Sequence, residues 1–223
     1  MRIVSSNVQH GLPDPVGHPS LARAVPPMRA LEADVYGFQE LDHRRWRTRF
    51  QHQGAVLARA LGGTLVWARA QRWIWAAQAN ALVVRGDVVD KQVLRLPGPG
   101  ERRVAIVAAL VVRGAQWSVA TTHLSLEPRV AVRQLETTLD VLAERSGPHV
   151  LVGDLNLRPE RVHPIAEAIG WTLLEGSDTI NARTGLDRRL DHILVHGAAV
   201  TASGVQKLPV SDHLAVWADL QDL

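Results

Sequence analysis

Cysteine is absent from this chain of 223 residues. Disulfides, thiolate zinc sites and a cysteine nucleophile are thereby excluded. Also missing is any apolar run long enough to cross a bilayer. The chain opens directly on Arg2-Ile3-Val4-Ser5, which reads as strand and leaves no charged-then-apolar leader. These absences set the expectation of a cytoplasmic protein. No repeat, low-complexity tract or linker-like stretch divides the sequence, so one domain over residues 1–223 is expected. No motif for a nucleotide cofactor is present. Excess charge is also scarce: 25 Lys+Arg against 22 Asp+Glu leave a formal +3. That fits an anionic substrate without establishing a nucleic-acid partner.

The hydrophobic fraction of 46% is enough for a sizeable core. Short β-rich runs recur at Arg2–Ser6, Val35–Gln39, Thr64–Ala68, Ala81–Arg85, Val104–Val112, Trp117–Thr122, Val150–Gly153, Leu190–Val195 and Leu214–Leu220. Three helical patterns interrupt them. One starts at Pro26-Pro27 and carries Met28 and Leu31; a second presents Val56, Leu57, Ala60 and Leu61 before Gly62-Gly63. The third, with Val132, Leu135, Leu139 and Leu142 opposite Arg133, Asp140 and Glu144, ends at Gly147-Pro148. Many strands with few helices predict two sheets packed face to face, mainly antiparallel, with helices outside.

Polar residues gather where these strands end. Asn7 follows the first, Glu40 closes Tyr36-Gly37-Phe38-Gln39, and His123 closes Ser118-Val119-Ala120-Thr121-Thr122. Asp154 and Asn156 follow Val150-Leu151-Val152. Asp191-His192 sits inside the Arg189–Val195 run, and Asp212-His213 precedes Leu214-Ala215-Val216-Trp217. Strand ends let a rigid scaffold hold reacting groups in place. A set of oxygen donors and imidazoles without thiolate suits Mg²⁺, with Mn²⁺ as the alternative, better than zinc.

The order and spacing of Gln39-Glu40, Thr122-His123-Leu124, Gly153-Asp154-Leu155-Asn156, Leu190-Asp191-His192-Ile193 and Ser211-Asp212-His213 resemble the endonuclease/exonuclease/phosphatase superfamily. The resemblance runs from Ile3 to the C-terminus. It implies a four-layered α/β/β/α sandwich, deoxyribonuclease I-like, and metal-dependent phosphoester hydrolysis. It further implies that Glu40 is the principal metal ligand, that Asn7 positions the metal site beside it, and that Asp212 supports it as an outer ligand. Asp154 matches the carboxylate that orients or deprotonates the attacking water, and Asn156 a donor to the phosphate oxygens. His213 resembles the histidine on the scissile phosphate, whether base or electrostatic stabiliser. Asp191 then resembles the acid that holds its tautomer, and His123 a second phosphate-facing histidine. Two positions depart from the pattern. Gln9 stands where some nuclease members carry an acid, and Ala79-Asn80-Ala81-Leu82 replaces a Gly-Asn before a strand, leaving Asn80 as a substrate-side candidate.

Plainer readings stand beside these. Asp and Asn after a strand are commonly turn residues; His123 has the alternative of a hydrogen-bonded core histidine, and Asp191 that of a partner for Arg189. His192 is expected to be structural. His10, His18, His43, His52 and His163 are expected at the surface, with His10 an exception to watch because it is close to Asn7. Basic residues interleaved with aromatics in His43-Arg44-Arg45-Trp46-Arg47-Thr48-Arg49-Phe50 suit phosphates and bases, so Arg44, Arg45 and Arg47 are substrate candidates, with Arg183 in the loop before Asp191. The alternative for that segment is an exposed helix start. Arg72-Trp73-Ile74-Trp75 is either a stacking surface or a pair of buried hairpin tryptophans, and Arg102-Arg103 stays undecided. Together these features predict a Mg²⁺-dependent phosphodiesterase or nuclease, monomeric, acting on a phosphoester, with nucleic acid favoured over a small phosphorylated molecule or a lipid; the alternative is a phosphatase or lipid phosphodiesterase acting on a small phosphorylated molecule. A noncatalytic binding module on the same fold is the remaining alternative.

Overall fold

The computed structural model describes residues 1–11, 19–176 and 189–223. In chain order its strands and α-helices are β1 (Arg2–Asn7), α1 (Val25–Ala30), β2 (Val35–His43), α2 (Gln53–Leu61), β3 (Thr64–Arg72), β4 (Ala77–Val84), β5 (Asp87–Arg95), β6 (Val104–Val112), β7 (Ala115–His123), α3 (Pro128–Ala143), β8 (His149–Asp154), α4 (Pro159–Ala168), β9 (Thr172–Leu173), β10 (Asp191–His196), β11 (Ala198–Lys207) and β12 (Leu214–Asp222). They form two six-stranded sheets, ordered β11-β12-β1-β2-β4-β3 and β5-β6-β7-β8-β10-β9. Most pairings are antiparallel, but each sheet holds one parallel pair near its centre, β1 with β2 and β7 with β8.

Alternation along the strands sorts the apolar residues into layers. Between the sheets lie Ile3, Val35, Leu82, Ile106, Trp117, Val119, Val152, Ile193 and Val216. The neighbouring positions Val4, Tyr36, Phe38 and Val83 face outward instead, against Met28, Leu57 and Leu61 of the first helical layer. Leu135, Leu139, Leu142, Val162 and Ala166 cover the other sheet over Ala105, Val107, Leu151 and Leu194. The result is the α/β/β/α sandwich of two mainly antiparallel sheets.

Some local expectations change. β5 and β11 escape a search for apolar runs because they are edge strands with mostly exposed side chains. α4 is hidden by its two prolines, one in the first turn and Pro164 inside. On α2 the buried face is Leu57, Ala58 and Leu61, while Val56 is exposed. On α3, Val130 and Ala131 join the expected leucines, and Val132 lies at the margin.

Two local features shape the edge where the chemistry-bearing residues gather. At Gly153 an added Cβ would sit 2.1 Å from the Thr122 carbonyl oxygen, so only glycine lets β8 run this close beside β7 just before Asp154. In β2 the register with β4 slips between Phe38 and Leu41, and Glu40 adopts φ +59°. This bulge places Gln39 and Glu40 opposite Asn80 and re-aims the Glu40 side chain.

Candidate active site

The carboxyl ends of both parallel pairs meet at one edge of the sandwich, and the starts of β10 and β12 arrive there from the antiparallel direction. Asn7, Glu40, His123, Asp154, Asp191 and His213 come together in this way. Asn7 Nδ2 donates to Glu40 Oε1 and to Asp154 Oδ2, each at 3.1 Å, and ties the two sheets together. Its amide oxygen accepts the Gln9 N–H at 3.0 Å. Asn7 therefore braces two carboxylates rather than turning an oxygen toward them.

Asp154 Oδ2 is the hub. His123 Nε2 lies 3.5 Å away and His213 Nε2 3.9 Å away. Asp154 Oδ1 accepts the Asn156 backbone N–H at 3.1 Å. The Asn156 side chain donates to the Leu124 carbonyl at 3.0 Å, an anchor that spends one of its two amide N–H bonds. His213 Nδ1 is 2.7 Å from Asp191 Oδ2, so the imidazole is a partner of Asp191. Ser211 donates to the Asn7 carbonyl at 2.6 Å and accepts the His213 N–H at 3.0 Å, which fixes the turn before β12 against β1.

Burial and charge set the protonation states. For His213, burial opposes a charged ring, but the carboxylate of Asp191 outweighs it by charge and hydrogen bond; Asp154 and Asp212 add to this, and the pKa is pushed up to about 10. His123 goes the other way, to about 4, because burial dominates; Asp154 pulls against it, and Arg103, His213 and His10 add to the lowering. Burial also raises the Asp154 pKa, Asp191 adds to it, and His123, His213 and Asn7 oppose it. The site thus presents a charged imidazolium, a neutral imidazole and a carboxylate of raised basicity within a few ångströms.

Two groups of ligand atoms bear on metal binding. Asp154, Asp191 and His213 have ligand atoms within 4.8 Å of one another. The short His213–Asp191 bond occupies that ring nitrogen, which suits proton handling better than ligation. Asp212 Oδ1 and Gln9 Oε1 are buried oxygens without a hydrogen bond among the described residues, Asp212 Oδ1 lying 3.9 Å from His213 Nε2, and Glu40 faces a cleft. Buried oxygens without a hydrogen-bond donor, together with the Glu40 carboxylate and with no thiolate in the chain, fit a hard divalent cation.

The cleft has a volume of about 380 Å³, and His10, Glu40, Arg45, Arg47, Trp73, Arg103 and His123 are among its lining residues. Other sequence candidates lie elsewhere or are already engaged. Asn80 is buried between the sheets with Nδ2 on the Val104 carbonyl at 3.0 Å, and Arg44 is exposed outside the cleft lining. Arg47 spends two donors on Asp42, at 2.6 and 2.8 Å. Arg183 and His18 lie outside the described residues.

A sequence profile of the Endonuclease/Exonuclease/phosphatase family matches residues 4–213. The chain belongs to that family. Among solved structures, it is similar to the endonuclease/exonuclease/phosphatase from Beutenbergia cavernae DSM 12333 (TM-score 0.79, 22% identity, covering 99% of this chain and 71% of that one). It is also similar to the mannosyl-6-phosphatase Bt3783 of Bacteroides thetaiotaomicron VPI-5482 (TM-score 0.78, 16% identity, 99% of each chain). The human Nocturnin catalytic domain with bound sulfate superposes with a TM-score of 0.75 at 19% identity, over 100% of this chain and 93% of that one. At such identities the likeness is one of fold. Curated protein sequences give no match.

Within the family architecture, sequence reasoning placed His10 with the surface histidines and passed over Asp42. His10 is buried, with Nδ1 2.9 Å from the Glu40 carbonyl and Nε2 3.2 Å from Glu40 Oε2. Asp42 is buried and holds Arg47. The signal for His10 was its closeness to Asn7. Asp42 carried none, because its partner Arg47 is brought back to it only by the turn that follows β2. His43 and His52 pack edge-on at 4.5 Å and also against Trp67, instead of standing free. The Trp73–Trp75 turn is not buried: Trp73 is 45%, Ile74 89% and Trp75 79% exposed. The segment after His43 forms a short 3₁₀ turn, Trp46–Thr48.

Proposed function

We propose that this chain, acting as one domain over residues 1–223, is a divalent-metal-dependent phosphodiesterase with nucleic acid as its preferred substrate class. The observation that carries the reading is the convergence of Asn7, His123 and His213 on a single Asp154 carboxylate, with Glu40 held at its side. Glu40 and Asp212 are the residues that would hold Mg²⁺ or Mn²⁺, with Asn7 as brace. Such an ion supplies charge neutralisation on the phosphate oxygens and orientation of the water.

The protein groups have distinct tasks in this reading. Asp154, made more basic by burial, accepts a proton from the attacking water. Phosphate esters repel an incoming nucleophile because both are negative. The His213 imidazolium, fixed through Nδ1 by Asp191, offers its Nε2–H to the phosphate oxygens as charge grows on them. Neutral His123, its Nε2 3.5 Å from the same Asp154 oxygen, offers a further hydrogen bond. The remaining amide N–H of Asn156 is a further donor. Monomeric behaviour and a cytoplasmic setting belong to the same proposal; among the described residues no helix is long and apolar enough to cross a membrane.

The test is turnover of a DNA or RNA oligonucleotide and of a generic diester with Mg²⁺, with Mn²⁺ and in chelator. Asp154→Ala and His213→Ala should each abolish turnover. Activity that persists in chelator or in both variants overturns the reading. A second reading, a lipid phosphodiesterase, is favoured by the exposed Ile74 and Trp75 beside the cleft, since aromatic and aliphatic side chains at a turn suit a membrane interface. Steep loss of substrate binding with rising salt supports the polynucleotide. A flat salt response with phospholipid turnover supports the lipid.

A further inference from the structure

Arg103 and Arg45 reach the cleft with donors unspent. Arg103, just before β6, is only 8% exposed. Its Nη2 lies 2.8 Å from Glu101 Oε2, while its Nε is buried with no acceptor among the described residues. The Arg45 guanidinium carbon sits 3.9 Å from the centre of the Trp73 ring, and its Nε is likewise buried without an acceptor. Arg47, by contrast, already commits Nε and Nη2 to the Asp42 carboxylate, which offsets its charge. Buried charged donors that lack acceptors are costly, and an anion entering the cleft would satisfy them.

The surroundings narrow the kind of anion. One face of Trp73 already carries Arg45, and a bare phosphate would engage the arginines and leave the exposed remainder of the indole unused. An acyl chain would cover Trp73 and bury Arg103 deeper without giving its Nε an acceptor. A planar ring joined to a phosphate uses both, because indole and guanidinium each present flat faces on which a base stacks. The cleft also contains His123 and Glu40, so its occupant lies directly beside the reaction centre.

We propose that Arg103, Arg45 and Trp73 form a nucleotide subsite that takes the base and phosphate flanking the scissile bond. The proposal rests on the phosphodiesterase reading and narrows its substrate. Glu101 acts in it as an internal competitor: its exposed carboxylate holds Arg103 until a phosphate displaces it. Removing that carboxylate should therefore strengthen anion binding, a sign opposite to that of an ordinary structural lesion.

The experiment uses the full chain in chelator, where no turnover is expected, and measures binding by calorimetry. The probes are 2′-deoxyadenosine 5′-monophosphate, 2-deoxyribose 5-phosphate (no base) and deoxyadenosine (no phosphate). The nucleotide should bind about tenfold or more tightly than either fragment. Trp73→Ala and Arg103→Gln should each cost about tenfold for the nucleotide, and Glu101→Gln should tighten it about threefold. If Arg103→Gln does not fold, the two more exposed variants decide. The subsite is overturned if the nucleotide binds no better than deoxyribose phosphate or if Glu101→Gln fails to tighten it. It is also overturned if Trp73→Ala weakens only binding to anionic phospholipid vesicles. Because binding is read without metal or turnover, failure here is distinct from failure of the hydrolytic reading, which the chelator and Asp154→Ala assays test.

Discussion

His213 Nδ1 and Asp191 Oδ2 lie 2.7 Å apart, although Asp191 begins a strand of one sheet and His213 precedes a strand of the other. This bond spans the sandwich and turns the His213 Nε2 toward Asp154. Replacing Asp191 with Asn keeps the volume and removes the charge. Asp191→Asn is therefore expected to lower kcat by about 10²–10⁴, the range of a positioned proton or charge donor, with little change in KM. Steady-state kinetics on a diester substrate check this. A kcat within about threefold of the unaltered protein would show that the pair has no part in the reaction.

Cation binding should register in stability as well as in turnover. A ligand at about a hundred times its dissociation constant adds about 2.7 kcal/mol to the folded state. Mg²⁺ or Mn²⁺ is expected to raise Tm by several degrees, and chelator to reverse the shift. Glu40→Gln should lose most of it, because Glu40 is the carboxylate proposed to hold the ion. Thermal melts with and without metal provide the measurement. An equal shift in Glu40→Gln would place the ion elsewhere, for example at the Asp154, Asp191 and His213 cluster.

Much of this site was legible because its residues sit where polarity interrupts an apolar run. Asp154 after Val150-Leu151-Val152 and His213 before Leu214-Ala215-Val216 are examples, and their convergence follows from strand direction alone. Less was legible where partner and geometry are set by the tertiary fold. Nothing local announces that Glu40 occupies a bulge at φ +59°, or that Arg47 is neutralised by Asp42. Edge strands β5 and β11 were missed for a related reason: their exposed side chains give no apolar signature. The Trp73–Trp75 turn shows the converse limit, since tryptophan composition suggests burial while the hairpin geometry leaves the rings outside.

The bulge at Glu40 carries its own test. A non-glycine residue in the left-handed region costs about 1–2 kcal/mol. Glu40→Gly and Glu40→Ala both remove the carboxylate and its ties to Asn7 and His10, so they differ only in backbone strain and chain entropy. The glycine variant is expected to be more stable than the alanine variant by about 1 kcal/mol, with both inactive. Denaturant titrations of the two proteins compare them directly. If alanine proves the more stable, the strained conformation at this position is wrong.

His192 supplies a pH dependence that is independent of turnover. Its ring is buried, with Nε2 2.7 Å from the Leu157 carbonyl. Burial pushes its pKa down to about 4, helped by Arg189 and opposed by the Leu157 hydrogen bond. The unfolded chain takes up this proton near pH 6.5, whereas the folded protein does so only near 4. Between those values the unfolded state binds more protons. Stability from this group is therefore complete above about pH 6.5 and is lost as the pH falls toward 4. A difference of this size amounts to about 3 kcal/mol across the window. His192→Gln removes the titration while keeping a side-chain donor. Urea unfolding at about pH 4.5 and about pH 7 should show the unaltered protein losing about 2–3 kcal/mol more than the variant on acidification. Parallel losses in the two proteins would mean that the imidazole is not held neutral in the core.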